Sequence, residues 1–161
     1  MSRAFVKEDA DTEPVLVLAR ASLPEGVPNL MTPVGWEALE AERAELEAEL
    51  GRALAAADTR AVASARGRLE ELALRLESAR VVRLPDVIEK IQAGATVTLR
   101  RADGQTLCFR IVGVDEADPA AGSVAFTAPV AAAAMEKRVG DVFTAPIGGK
   151  DVRFEVVGVE H

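Results

Sequence analysis

The chain has no tyrosine, one tryptophan (Trp36) and five phenylalanines, so aromatic residues make up only 4% of it. That supply does not readily furnish a base-stacking platform or an aromatic-walled ligand pocket. Cys108 is the only cysteine, which excludes an intramolecular disulfide, and its place between Leu107 and Phe109 in a strand-like run reads as a core position. The one histidine, His161, is the last residue, where order is least expected. Zinc sites and histidine-dependent triads therefore have no raw material, and neither a cofactor nor a resident metal is expected. Long apolar runs are missing too. The longest near the start, Val15 to Ala19, falls far short of the roughly 20 residues of a membrane span, so no membrane partner is expected. Arg3 and Lys7 are followed by Glu8 and Asp9 rather than by an apolar stretch, which argues against a signal peptide and makes the cytoplasm the expected compartment. Basic charge is scarce as well: 26 acidic residues against 19 basic ones give a formal charge of −7. Neither a broad basic face for duplex DNA or anionic lipid nor direct sequence-specific nucleic-acid binding is expected, and a protein partner fits better.

What is present is enough for a folded protein. The 161 residues are 49% hydrophobic, which supports one ordinary domain or two small ones. Residues 1–30 mix charges with Pro14, Pro24 and Pro28 and hold no lasting period, so they read as an extended or partly disordered arm with a short docked strand at Val15 to Leu18. The pattern changes at Met31. Thr32 suits a helix cap, Pro33 the first helical position, and Met31 a staple onto Trp36.

From there two sets of seam positions follow coiled-coil spacing: Trp36, Leu39, Arg43, Leu46, Leu50 and Leu54, then Val62, Ala65, Leu69, Leu72, Leu76 and Ala79. Pairing Leu50 with Ala65, Leu46 with Leu69, Leu39 with Leu76 and Trp36 with Ala79 keeps the sum of residue numbers constant. An antiparallel hairpin turning at Ala57 and Asp58 requires this. The interval from Ala57 to Val62 also breaks the heptad phase. A single unbroken helix in a dimeric coiled coil is the competing reading, because the turn contains neither glycine nor proline. The phase break, with glutamates on the first arm and arginines on the second, favours a hairpin over residues 31–80 within a monomer.

After Leu84-Pro85 the composition turns β-rich. Segments Ala95 to Arg101 and Thr106 to Val114 flank Ala102-Asp103-Gly104-Gln105, whose Asp-Gly is a hairpin signal. Further strands are expected at Ser123 to Thr127, Val142 to Ala145 and Val152 to Val159, with a short helix opened by Pro129. Residues 81–161 thus read as an antiparallel β domain, and the whole chain as α+β.

An antiparallel helical hairpin followed by a small β-rich domain resembles the bacterial Gre (GreA/GreB) family of transcript cleavage factors. Ile111-Val112-Gly113-Val114-Asp115-Glu116-Ala117-Asp118 is similar to the family's "IVGxDEAD" segment, and Ala128-Pro129-Val130-Ala131 to its "SPLA" turn. Val139 to Val142, Pro146 to Gly149 and Glu155-Val156 follow in the family's order, and Met31-Thr32-Pro33 with Gly35 and Leu39 resembles its opening "MTxxGxxxL". The resemblance implies an FKBP-like fold for the β domain, which grips RNA polymerase at the rim of its secondary channel while the hairpin enters that channel. It also implies a docking surface that includes Asp115, Glu116 and Pro129. In the family, two acids at the hairpin tip help hold a second Mg²⁺, so that the polymerase's own site cleaves backtracked RNA.

The chain departs from the family at that tip. Ala55-Ala56-Ala57-Asp58-Thr59-Arg60-Ala61 stands where the family carries approximately "D-x-x-E-N-A-x-Y", and Asp58 is its only acid, well placed to cap the second helix. Glu49 lies ~13 Å back along the first arm. The arms also look shorter than in typical cleavage factors, as in the similar Rnk-type polymerase-binding proteins. The expectation is an RNA polymerase-binding regulator that is not itself an enzyme and does not stimulate cleavage, with a genuine cleavage-inducing factor as the alternative. A prolyl isomerase is disfavoured, because an FKBP-like fold does not confer that activity without an aromatic-lined pocket.

Overall fold

The computed structural model describes residues 20–161; the strand expected at Val15 to Leu18 lies outside the described residues, as does most of the arm. The first described element, β1 (Asn29–Met31), pairs in parallel with β2 (Ala79–Val81). Between these strands run helices α1 (Pro33–Ala55) and α2 (Thr59–Ser78). Thr32 Oγ1 accepts the Gly35 amide at 3.1 Å, Pro33 occupies the first turn, and buried Met31 joins the cluster that Trp36 borders. These are the cap, the preset φ and the staple that the sequence called for.

Leu39 and Leu46 of α1 meet Leu72 and Leu76 of α2 in one buried cluster edged by Trp36, Leu69 and Ala79, so the arms fold back within one chain. Fully burying each such leucine contributes ~1.5–3 kcal/mol. Arg68 and Glu49 pair across the arms at 3.1 Å, but both side chains are exposed and the pair contributes only about 0–1 kcal/mol. Two expected seam positions differ. Leu54 is 53% exposed while Ala53 is buried, because strict alternation of three and four residues from Leu46 through Leu50 lands on Ala53. Arg43 leaves the seam and pairs along its own helix with Glu40 at 2.7 Å, where its charge stays hydrated.

The second unit is a five-stranded curled sheet in the order β5-β4-β3-β7-β6. Its strands are β3 (Thr96–Arg101), β4 (Thr106–Val112), β5 (Ser123–Ala125), β6 (Val142–Ile147) and β7 (Lys150–Glu160). All pairings are antiparallel except that of β5 with β4. The β3–β4 turn uses Gly104 at φ 87°, and Asp103 Oδ1 accepts the Gln105 amide at 3.0 Å. Helix α3 (Pro129–Ala134) contributes Ala131 and Ala134 to the core formed by Val97, Leu99, Phe109, Ile111, Phe143 and Phe154. The last two rings stack with centroids 5.6 Å apart. The α+β architecture is thus the expected one, a helical hairpin followed by a β domain.

Cys108 corrects the sequence reading: it is exposed, because β4 turns Phe109 and Ile111 into the core and its intervening positions onto the uncovered face of the sheet. His161 has a definite place, with its ring Nε2 3.3 Å from the Asp86 carbonyl oxygen. No helix among the described residues is long and apolar enough to cross a membrane.

Candidate functional site

Sequence reasoning points to two places, the hairpin tip and the loop after β4. At the tip α1 ends in a Schellman arrangement: the Asp58 amide donates to the Ala53 carbonyl at 3.0 Å and the Ala57 amide to that of Leu54 at 3.1 Å. The left-handed position falls on Ala57, at φ 51°, where glycine is the favoured residue. Asp58 then caps α2 immediately, its Oδ1 accepting the Ala61 amide at 3.0 Å. The tip therefore presents exposed Leu54, Ala55, Ala56 and Ala57 with one carboxylate, one oxygen of which is committed to a helix N-terminus. This does not fit the two-acid clamp for Mg²⁺ that the family resemblance implies. Mg²⁺ bound by few protein ligands needs carboxylates free to turn toward it, and one capping aspartate is a poor clamp.

At the base of the hairpin the expected docking pair, Asp115 and Glu116, sits in the single 3₁₀ turn after β4, Val114–Glu116. Glu116 Oε2 accepts the amides of Thr32 at 3.0 Å and Gly113 at 2.9 Å, and Oε1 accepts the Thr32 hydroxyl. Thr32 is itself buried and receives the Gly35 amide, so the carboxylate extends the cap of α1 from the β domain. Negative charge at a helix N-terminus also complements the helix dipole.

Asp115 faces inward, with its side chain only 5% exposed. Its Oδ2 lies 3.2 Å from Arg75 Nε of α2, and its Oδ1 3.4 Å from Arg20 Nη1. Oδ2 makes no aligned hydrogen bond, so the pairing with Arg75 is electrostatic rather than a bidentate fork. Arg20 also pairs with Glu42 of α1. Both carboxylates thus have partners inside the chain. Pro129 is exposed at the first turn of α3. The structure brings Asp115 and Glu116 together with Thr32, Gly35 and Arg75; Asp58 lies at the far end of the hairpin and Pro129 on another element.

Residues 85–161 match the family model described as transcription elongation factor, GreA/GreB, C-terminal. The chain is 31% identical over 155 residues to transcription elongation factor GreB of Neisseria meningitidis serogroup A, covering 83% of this chain and 94% of that one. It is 35% identical over 152 residues to GreB of Xanthomonas axonopodis pv. citri, covering 82% of this chain and 90% of the relative. A 34% match to GreA of Thioalkalivibrio sulfidiphilus spans 59% of this chain and 62% of the relative's length. Among solved structures, the GreA factor homolog Gfh1 of Thermus thermophilus is 20% identical, with a TM-score of 0.41 over 84% of this chain and all of that one. A hairpin docked on a curled sheet, with sequence identity that extends along nearly the whole of the GreB relatives, defines the class. The chain belongs to the GreA/GreB family of transcription elongation factors.

Proposed function

We propose that this protein binds RNA polymerase near the secondary channel and modulates transcription elongation in the cytoplasm without stimulating transcript cleavage, and that it is not itself an enzyme. The observation that carries the reading is the tip, where Asp58 is the only acid and serves as the cap of α2. A single capping carboxylate gives too little stabilisation of a second Mg²⁺ to raise the polymerase's hydrolysis rate. Docking is assigned to the β domain. Pro129, exposed on α3, is the proposed direct contact, and Asp115 and Glu116 contribute to the same surface by holding their loop against the hairpin.

The test uses elongation complexes arrested with 3′-extended RNA in Mg²⁺, followed for both binding and RNA length. Binding with RNA shortening no faster than in polymerase alone is expected. Shortening that Asp58→Ala abolishes while binding persists overturns the non-cleaving reading and makes Asp58 a metal ligand. Absence of binding overturns the polymerase reading, and a Pro129→Arg variant that binds as well as wild type removes Pro129 from the interface.

A further inference from the structure

The hairpin and the β domain have separate apolar interiors. Met31, Leu39, Leu46, Leu72 and Leu76 form one buried cluster and the sheet and α3 form the other; among the described residues no fully buried residue belongs to both, and partly buried Leu30 of β1 packs against the second. Hydrophobic burial is non-directional, so the packing of Leu30 on the sheet's core does not by itself fix an angle at the joint. What crosses it at defined angles is polar: the bonds of Glu116 to Thr32, and the ion pairs of Asp115 with Arg75 and Arg20.

Two glycines show how closely Glu116 is seated. A Cβ at Gly35 in α1 would lie 2.5 Å from Glu116 Cγ and Oε1, and one at Gly113 would lie 2.8 Å from Glu116 Oε2 and 2.6 Å from the Leu30 carbonyl oxygen. Gly35 stands in the first turn of a helix, where alanine has the higher helix propensity. Local structure does not explain a glycine there, but the room taken by Glu116 does.

We propose that Glu116 is a positioning residue: seated against Gly35 and Gly113 and bonded to Thr32, it fixes the direction in which the β domain holds the hairpin. Asp115 secures the same joint through Arg75 and Arg20. The proposal deepens the polymerase reading, since it states what would aim the tip of a docked molecule. It concerns the free protein, however, and holds or fails without polymerase.

The experiment measures a distance distribution between spin labels on the full chain, one on native Cys108, which is the only cysteine and is exposed on β4, and one on an Ala56→Cys variant at the tip. The wild-type background should give one narrow distance. Glu116→Ala and Gly35→Ala, introduced separately, should each broaden it at least twofold while far-ultraviolet circular dichroism keeps the helix and strand content. Glu116→Gln, which retains an acceptor for the two amides, should restore the narrow distribution. If Glu116→Ala does not fold, Gly35→Ala decides, because its methyl group favours the helix and its nearest neighbours are side-chain atoms of Glu116. A distribution in folded Gly35→Ala that superimposes on the wild type overturns the proposal. So does a Glu116→Gln distribution as broad as that of Glu116→Ala.

Discussion

Replacing Ala57 by glycine should stabilise the hairpin, although glycine substitutions usually weaken helical proteins. Ala57 holds φ 51° between two helices and is exposed, so its methyl group makes little packing contact that glycine would forfeit. A left-handed conformation costs an L-residue with a Cβ roughly 1–2 kcal/mol, and glycine escapes this. Against that, glycine gives the unfolded chain extra freedom, at a cost of about 0.4–1 kcal/mol. The balance is a net gain of ~0.5–1 kcal/mol, and each kcal/mol raises the melting temperature of a protein this size by roughly 2–4 °C. Urea titration followed at 222 nm reports the hairpin directly, since α1 and α2 supply most of the helix. Ala57→Val, β-branched in the same position, should shift the midpoint the other way. If Ala57→Gly lowers the midpoint or Ala57→Val leaves it unchanged, the turn is not held in the left-handed state and the strain argument fails.

Asp58→Ala should cost about 0.5–2 kcal/mol in the same titration, the ordinary loss of a helix cap, with no change in RNA cleavage. Leu46→Ala should cost ~2–5 kcal/mol because Leu46 is 1% exposed, whereas Leu54→Ala should stay within about 0.5 kcal/mol; equal losses would restore Leu54 to the seam. Cys108 should react with a thiol reagent in the native protein as completely as after denaturation, and Cys108→Ser should change stability by less than about 0.5 kcal/mol. A thiol that reacts only on unfolding would return it to the core.

The hairpin was legible because its information is local. Caps, staple and seam lie within a few residues of one another, and a constant pairing sum needs only a turn position. Of its two seam errors, Leu54 came from weighing side-chain size over spacing, since alternation points to Ala53, and Arg43 from weighing spacing over charge, since the heptad position carries a guanidinium that stays hydrated. Cys108 was misread as core because its apolar neighbours outweighed strand parity: Phe109 and Ile111 set the inward face of β4 and leave Cys108 on the other. The inward roles of Asp115 and Glu116 could not be read from sequence. An acidic pair in a loop looks solvated until tertiary structure brings Arg75 and Thr32 to it, the latter 84 residues earlier in the chain. The parallel pairing of β5 with β4 and the β1–β2 pair are likewise long-range outcomes without a local pattern.

The parallel pair β1–β2 has a mechanical consequence. The chain enters and leaves the hairpin through two strands bonded side by side, Asn29 beside Ala79 and Met31 beside Val81, rather than through one flexible linker. A double-stranded root resists torsion and bending that a single strand would permit. The arm it carries, the 23 residues of α1, is ~34 Å long at 1.5 Å per residue. Over that length a swing of about 10° at the root displaces the tip by ~6 Å, well beyond hydrogen-bond reach. The precision with which Ala55 to Asp58 can be delivered to any target is therefore set at the far end of the molecule, by the stiffness of six paired residues and the groups that brace them.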